Sequence, residues 1–359
     1  MKEFIDAAVF KDMVIRASAA LENNMERINE LNVFPVPDGD TGTNMSLTMG
    51  SAVGEISGKA FDSVGRVSDC VASALLRGAR GNSGVILSLL FRGIAKRLKG
   101  HERVDAKLFA AAMSDGVDAA YKAVMKPAEG TILTVSRVST SAAVEFAEND
   151  SDLELMMICA IESAKEALAD TVNLNPVLAR AGVIDAGGAG YLCILEAMLD
   201  VLQGKTTDVS ELGKKTAAAE THFEIFDTAE IEFAYDTVFI VKKFEDTELS
   251  ALRDYLGSIG DSLVISEDDD IFKVHVHTNI PGEALIEASK YGILEKADIE
   301  NMRTQHDELI DSAKNHSEVI ETPPATAEKR YGIVTVCAGE GITKIFKEIG
   351  ADGVITGGQ

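Results

Sequence analysis

The sequence predicts a multidomain protein in which an all-α N-terminal domain precedes a smaller α/β domain. Its 359 residues are enough for two or three domains with separate cores. Apolar residues recur at helical spacing through residues 1–200, and from residue 231 they alternate as in a β-strand. A content of 46% hydrophobic and 26% charged residues is typical of a globular chain.

The first domain is predicted to span residues 1–202. Its first helix ends at the prolines of segment 33–37, which remove backbone donors and disfavour helix in the preceding residues. The buried stripe of that helix comprises Val14, Leu21, Met25, Ile28 and Leu31. Further helices are predicted over residues 44–57, 64–78, 84–98, 105–124, 153–169 and 188–202.

A polar linker over residues 203–230 is predicted to lead into an α/β domain at 231–315. Alternating residues at 233–241 predict its first strand. A helix at 247–258, strands at 262–267 and 271–278, and helices from 282 and from 298 are predicted to follow. This order is typical of a small α/β sandwich.

A second linker is predicted over residues 316–330. Residues 331–359 have the pattern of a β-α-β opening, which is too short to bury a parallel sheet on both faces. We therefore expect the chain to end inside a third domain.

The charge and the cysteines argue against several classes of protein. The chain has 34 Lys+Arg and 58 Asp+Glu, a net charge of −24, so it offers no basic surplus to nucleic acid or to an anionic membrane. It has no apolar run of about 18 residues and no signal-peptide pattern. Its 4 cysteines lack CxxC spacing and are expected to be reduced thiols. A cytoplasmic protein is predicted.

The segment NVFPVPDGDTGTNM, residues 32–45, carries the strongest chemical signal. Asp38 and Asp40 flank Gly39, so both carboxylates can converge on one Mg²⁺ ion. The side chains that can donate to a phosphate at the next helix are Thr41, Thr43 and Asn44. A surface turn that merely caps a helix is the alternative. An EF-hand loop is excluded, because its twelfth position lacks Glu.

Two more glycine-rich turns precede predicted helices. RGARGNSG, residues 77–84, can direct the N–H groups of Ser83 and Gly84 at an anion. In RAGVIDAGGAGY, residues 180–191, Asp185 can cap the next helix, and Arg180 can lie over phosphate or adenine. Each turn alone also fits an ordinary helix connection, but together with the acidic turn they indicate a Mg–ATP site.

These motifs carry a family resemblance. PDGDTGTNM, ARGNSGVILS, EGTILTV and DAGGAGY, in that order, resemble the nucleotide-binding domain of the dihydroxyacetone kinase L-subunit family. The NVFPVPDGDTGTNM form, followed by an α/β domain with HVHT, more closely resembles fatty acid kinase A proteins. The resemblance implies a barrel of eight helices with ATP and Mg²⁺ at its rim. It also implies that a separate DegV-type fatty-acid-binding protein presents an acyl chain, whose carboxylate receives the γ-phosphate.

Carried over position by position, Asp38 and Asp40 match the metal-binding carboxylates, and Asn32 falls near a third ligand position. The matches to phosphate contacts are Thr41, Thr43, Asn44, Ser83 and Gly84. The matches to the nucleotide-side loops are Thr131, Arg180, Asp185 and Gly187. The middle domain is expected to mediate homodimerisation, and the third domain to dock the acyl carrier.

A carboxylate acceptor agrees with the residue types in the three turns, none of which contains a histidine. A fatty carboxylate is already ionised at pH 7, so its phosphorylation needs no general base. The enzyme has to neutralise charge between two anions instead, which Mg²⁺ and Arg can do.

His275 and His277 alternate on a predicted strand, so both imidazoles point to one face and can share a metal ion. The resemblance implies zinc held with a Cys on the facing strand, where this chain has Asp236. A zinc site and a hydrogen-bonded histidine pair are therefore both open.

Two other functions also stay open. One is a dihydroxyacetone kinase, although that branch more often has His where this chain has Thr41. The other is a non-catalytic, nucleotide-sensing scaffold with the same fold.

Overall fold

The computed structural model describes residues 3–205, 231–245, 247–305, 332–337 and 340–356. The chain divides into two compact units, Met1–Ala313 and Lys314–Gln359. Most of the linker predicted at 203–230, and all of the linker predicted at 316–330, lie outside the described residues.

Ten helices form the helical region over residues 3–205. They are α1 (Ala7–Asn23), α2 (Met25–Glu30), α3 (Thr41–Ile56), α4 (Val64–Gly78), α5 (Gly81–Leu98), α6 (Ala106–Ala123), α7 (Ile132–Asn149), α8 (Leu153–Leu174), α9 (Pro176–Ala181) and α10 (Ala186–Leu202). The single helix predicted at the start is divided at Asn24 into α1 and α2. From α3 to α8 each helix packs on the next, and α10 packs on both α1 and α7.

Helix α7 is missing from the sequence-based prediction. Its residues include Val, Ser and Thr, whose helix propensity is modest because their side chains lose rotamer freedom or compete for backbone hydrogen bonds. Here the Ser136 hydroxyl donates to the Leu133 carbonyl within the helix, at 3.0 Å. Val135 is fully buried in the helical core, and this tertiary packing outweighs the weak local preference.

The sheet region contains β1 (Tyr235–Lys243), α11 (Ser250–Ile259), β2 (Gly260–Glu267), β3 (Ile271–Thr278), α12 (Pro281–Ala288) and β4 (Gly292–Asn301). The four strands are antiparallel in the order β2-β3-β1-β4. The helix predicted from residue 298 begins four residues later, because residues 298–301 belong to β4 and helical residues begin at 302. The Glu, Lys and Asp of this segment suit a solvated helix, but equally suit an exposed edge strand.

Strand β3 is buried on both faces. Phe272, Val274 and Val276 pack with side chains of α11 and α12. The alternate residues Lys273 and His275 point to the opposite face, which lies against the helical region. The two-residue period of the strand therefore divides an apolar core face from a buried polar face.

The sheet region packs closely on the helical region. Leu76 of α4 forms a small apolar cluster with Ile240 and Ile271 of the sheet. Beside it, Arg92 and Asp268 form an ion pair at 2.5 Å, and both side chains are largely shielded from solvent. These contacts hold the sheet against α4 and α5.

In the second unit, β5 (Val334–Cys337) and β6 (Gly353–Thr356) are parallel and joined by α13 (Glu340–Glu348). This is the β-α-β order predicted for the segment. Among the helices that the structure describes, none is both long and apolar enough to cross a membrane.

Candidate active site

The acidic turn brings two carboxylates together before α3. Gly39 has a φ of 65°, a left-handed conformation that favours glycine, and it separates Asp38 from Asp40. Burial raises the pKa of Asp38 well above 3.8, and the neighbouring charge of Asp40 raises it further. Burial also raises the pKa of Asp40. Two carboxylates that are shielded from solvent and separated by one residue favour a bound cation.

Asn32 holds the turn in place. Its Oδ1 accepts hydrogen bonds from the Thr41 N–H at 2.9 Å, the Thr41 hydroxyl at 2.6 Å and the Asp40 N–H at 3.2 Å. Its Nδ2 donates to the Val36 carbonyl at 2.8 Å. Because the oxygen already accepts three donors, these contacts favour a positioning role over the expected role of third metal ligand.

The first turn of α5 faces the acidic turn. The N–H groups at this end have no partners within the helix, so Ser83 lies where a helix N-terminus can bind an anion. Gly81 has a φ of 55°, and a Cβ there would lie 2.3 Å from Nδ2 of Asn44. That amide donates to Asp40 Oδ2 at 2.7 Å. The close approach of Gly81 to Asn44 thus brings the first turn of α5 against the acidic turn.

The same small cleft also contains side chains of the sheet. It is lined by Asn32, Asp38, Asp40, Thr41, Asn44, Asn82, Ser83, Asp236, His275 and His277, among others. The magnesium and zinc sites that the sequence suggested separately therefore lie in one place. Asn82 of α5 approaches His277 directly, with its Nδ2 at 3.4 Å from the imidazole Nε2.

The geometry of Asp236, His275 and His277 fits a metal ion. One ligand atom from each lies within 4.8 Å of the others. Asp236 Oδ1 and His275 Nδ1 are 3.2 Å apart, yet neither atom has a hydrogen-bond partner among the described residues. Burial lowers the pKa of His275 well below 6.5, which keeps its imidazole neutral and able to bind a metal. The donor set, two imidazoles and one carboxylate, is one that zinc accepts.

A larger cavity of about 390 Å³ adjoins this cleft. Ser83, Thr131, Asp185 and Gly187 line it, together with Gly260–Val264 of β2. Its volume lies in the range of small-molecule sites, about 300–1,000 Å³. Four residues expected to contact nucleotide thus share one cavity with a strand of the sheet.

Two of these residues cap helices at the cavity wall. The Thr131 hydroxyl accepts from the Leu133 N–H at the start of α7. Asp185 caps α10 as predicted, with Oδ2 accepting from the Gly188 N–H at 2.6 Å. Burial raises the pKa of Asp185 to about 7.

The remaining predicted residues occupy other positions. Arg180 on α9 lines a separate cavity of about 210 Å³ that also reaches His277. Thr43 accepts from Asn29 at 3.0 Å and lines none of these three cavities. Gly84 is buried in α5, where a Cβ would lie 2.4 Å from the Thr48 hydroxyl. Gly84 therefore permits the close packing of α5 on α3.

Sequence reasoning missed Lys273. Its Nζ donates to the backbone carbonyls of Ala79 and, at 3.4 Å, Arg77, at the C-terminal end of α4. Burial lowers the pKa of Lys273 to about 7. The alternation in IFKVHVHT was a usable signal, since it puts this lysine on the same face as the two histidines.

Two family profiles match the chain. The DAK2 domain matches residues 35–200, and the middle domain of fatty acid kinase A-like proteins matches residues 232–309. The chain thus carries a DAK2 domain followed by a fatty acid kinase A-like middle domain, and this combination supports a fatty acid kinase A-like protein. This confirms the resemblance drawn from the motifs, and it means that the chain carries kinase-family domains.

Curated relatives align along nearly the whole chain. Protein YloV of Bacillus subtilis (strain 168) is 43% identical over 364 residues, covering 99% of this chain and 65% of that protein. Uncharacterized protein SAB1090 of Staphylococcus aureus (strain bovine RF122 / ET3-1) is 42% identical over 369 residues, with the same coverage of 99% and 65%. The chain thus spans about two thirds of the length of these relatives.

Among solved structures, the dihydroxyacetone kinase of C. freundii in its native form aligns with a TM-score of 0.41 and 18% identity. The alignment covers 55% of this chain and 34% of that chain.

Proposed function

We propose that this chain is the ATP-binding, phosphoryl-transferring part of a cytoplasmic kinase. Its acceptor is the carboxylate of a fatty acid presented by a DegV-type fatty-acid-binding protein, and its product is an acyl phosphate. One observation carries the proposal: Asp38 and Asp40 share a cleft with Asp236, His275 and His277, next to a nucleotide-sized cavity. A plain helix-capping turn does not require such a convergence.

Residues at different positions around the cavity and the cleft have different proposed roles. Thr131, Asp185 and Gly187 line the end of the large cavity suited to the nucleoside. Ser83 lines both the large cavity and the acidic cleft, and so lies where the phosphates would pass from one to the other. The N–H groups at the start of α5 are aimed at phosphate oxygens.

Asp38 and Asp40 are the residues that would hold Mg²⁺, which when bound neutralises the charge of the transferring phosphate. Asn32 and Asn44 orient these carboxylates through the hydrogen bonds described above. Asp236, His275 and His277 would hold a second kind of divalent cation, of which zinc fits the donors. Arg180 adds a positive charge to the cavity that His277 also lines.

The acceptor carboxylate arrives ionised, so no side chain has to remove a proton from it. What the site must supply is positive charge between two anions and exclusion of water. Burial of the cleft between the helical and sheet regions supports the second requirement.

The proposal extends to the architecture of the three parts of the chain. The order of helix contacts, with α10 closing on α1, supports a barrel of eight principal helices over a kinase domain of residues 1–202. The sheet of the middle domain, residues 231–315, exposes Ile293 and Ile299 on its edge strand β4, and we place homodimerisation there. Residues 331–359 would begin a domain that docks the acyl carrier.

Thermal unfolding with ATP tests the proposal. The native chain and the Asp38→Asn/Asp40→Asn variant are melted with ATP, with and without Mg²⁺. At about 100 times its dissociation constant, Mg–ATP should stabilise the native chain by roughly 2.7 kcal/mol, and the double variant should lose this shift. No shift in the native chain would contradict the proposal and favour a scaffold. Phosphorylation of dihydroxyacetone but not of carrier-bound fatty acid would favour the other kinase branch.

A further inference from the structure

A third cavity opens beside the acidic cleft and also adjoins the nucleotide-sized one. It measures about 210 Å³ and lies between the segment 33–37, helix α9 and the residues that enter β1. His277 lines both this cavity and the acidic cleft, and Pro35 lines all three cavities. The three spaces therefore meet at the point where the carboxylates and histidines converge.

Seven of the twelve residues that line this third cavity are apolar, and the other five are polar or charged. Val33, Val36 and Ile231 are each less than a tenth exposed, and Val177 and Phe233 extend the apolar lining. Arg180 supplies a cation at the wall, and His277 lies at the end shared with the acidic cleft. Apolar side chains that share a cavity with a cationic group suit a molecule with a carboxylate head and a few methylene groups behind it.

Two acidic residues, Asp261 and Glu232, also border the cavity. Asp261 Oδ1 lies 3.4 Å from Nδ1 of His277, so its charge faces the imidazole. The Glu232 side chain is exposed to solvent, where its charge is screened.

The size of the cavity limits what can enter. Sites that bury a whole drug-sized ligand have volumes of about 300–1,000 Å³, and this one is smaller. A long acyl chain cannot be enclosed here, but a carboxylate with its first few methylene groups can. The remainder of the chain has to stay outside, as it would if another protein held it.

We propose that this cavity, lined by Val33, Val36, Val177, Arg180, Ile231 and His277, is the acceptor subsite, which admits only the carboxylate end of an acyl chain. The inference rests on the proposed function and deepens it by locating the acceptor. In the transfer, the acceptor oxygen forms a bond to the γ-phosphorus while the bond from that phosphorus to the β–γ bridging oxygen breaks. ADP leaves with the bond's electron pair, and no proton moves.

The test uses octanoate as the probe and saturation-transfer NMR as the readout, with the chain saturated in Mg²⁺ and a non-hydrolysable ATP analogue. Val177→Trp fills the cavity, whereas Ala179→Trp places the same side chain on the exposed side of the same helix. The native chain and Ala179→Trp should both bind octanoate, and Val177→Trp should not. Arg180→Gln, at an exposed side chain, should weaken binding about tenfold, the effect of losing one charge-assisted hydrogen bond.

Three results would overturn the inference. They are the absence of octanoate binding to the native chain, equal binding by the two tryptophan variants, and equal binding of octanol, which lacks the charged head. Stabilisation by Mg–ATP is measured on the same samples. If it persists while octanoate fails to bind, the acceptor subsite is wrong and the nucleotide site stands. If it is absent while octanoate binding depends on Val177, the cavity stands and the kinase proposal fails.

Discussion

The helical and sheet regions contribute to the same cleft in different ways. The helical region places Asp38, Asp40 and Ser83 at turns and at helix N-termini, where local sequence governs the backbone. The sheet region places His275 and His277 in the middle of a buried strand, where only tertiary contact decides what they face. A loop-borne site is therefore visible in a motif, whereas the alternation of a strand shows which residues share a face but not what that face meets.

The largest expected effect concerns the half of the site that the sheet contributes. His277→Ala should lower acyl phosphate formation from carrier-bound fatty acid by about 100-fold or more, because it removes a group from the charge-neutralising site. Mg–ATP should bind with nearly unchanged affinity, since the nucleotide cavity does not include His277. Trapping the product as its hydroxamate measures the transfer.

The matched control for that variant is His101→Ala, which removes an exposed histidine just beyond the C-terminal end of α5. It should leave the rate unchanged. Equal losses in both variants would mean that His277 is not part of the site.

The next effect tests how the sheet is held against the helices. Lys273→Met should lower the free energy of unfolding by roughly 3 kcal/mol, because two backbone carbonyls at the end of α4 lose their buried donor. Lys290→Met removes an exposed lysine that pairs with Glu287 and should cost little. Urea unfolding measures both variants, and similar small losses would rule out Lys273 as an anchor between the two regions.

A smaller effect concerns the nucleotide side of the helical region and depends on pH. Burial raises the pKa of Asp185 to about 7 from 3.8, so between these values the folded chain holds a proton that the unfolded chain has lost. Folding stability therefore falls as the pH rises from 3.8 towards 7, and it stays level above 7, where Asp185 is ionised in both states. From about pH 5.5 to pH 8, the native chain should lose about 2 kcal/mol relative to Asp185→Asn, which keeps a capping oxygen. A constant difference across this range in urea unfolding would contradict the burial of this carboxyl.

The smallest effect tests the contact between the two turns. Gly81→Ala should displace the Asn44 amide from Asp40 and cost about 1 kcal/mol more than Gly58→Ala. Both glycines have positive φ, but a Cβ at Gly58 meets nothing within 4 Å, so the comparison removes the backbone strain that they share. Equal losses would mean that the Gly81–Asn44 approach does not support the acidic turn.

The sequence predicts most of the helical part of the cleft, because Gly, Asp and Thr in a turn act through local backbone geometry. It does not predict Lys273 or the contact of Asn82 with His277, since these depend on residues 194–196 positions apart meeting in space. It also misplaces β4, whose polar residues fit a helix until pairing with β1 is known. Arg180 illustrates both cases: the motif identifies it, but only the fold places it in the cavity next to His277.

The central claim is that the acidic turn and the sheet histidines form one cation-dependent site. The most direct test is NMR of the chain labelled with ¹⁵N-histidine, to which Mn²⁺–ATP is added as a paramagnetic substitute for Mg²⁺–ATP. His101 serves as the internal control, because the 18 residues of α5 place it roughly 27 Å from the cleft. We predict strong broadening of His275 and His277 in the native chain, little change at His101, and no broadening in Asp38→Asn/Asp40→Asn. Sharp His275 and His277 signals in a chain that binds Mn²⁺–ATP would contradict the account.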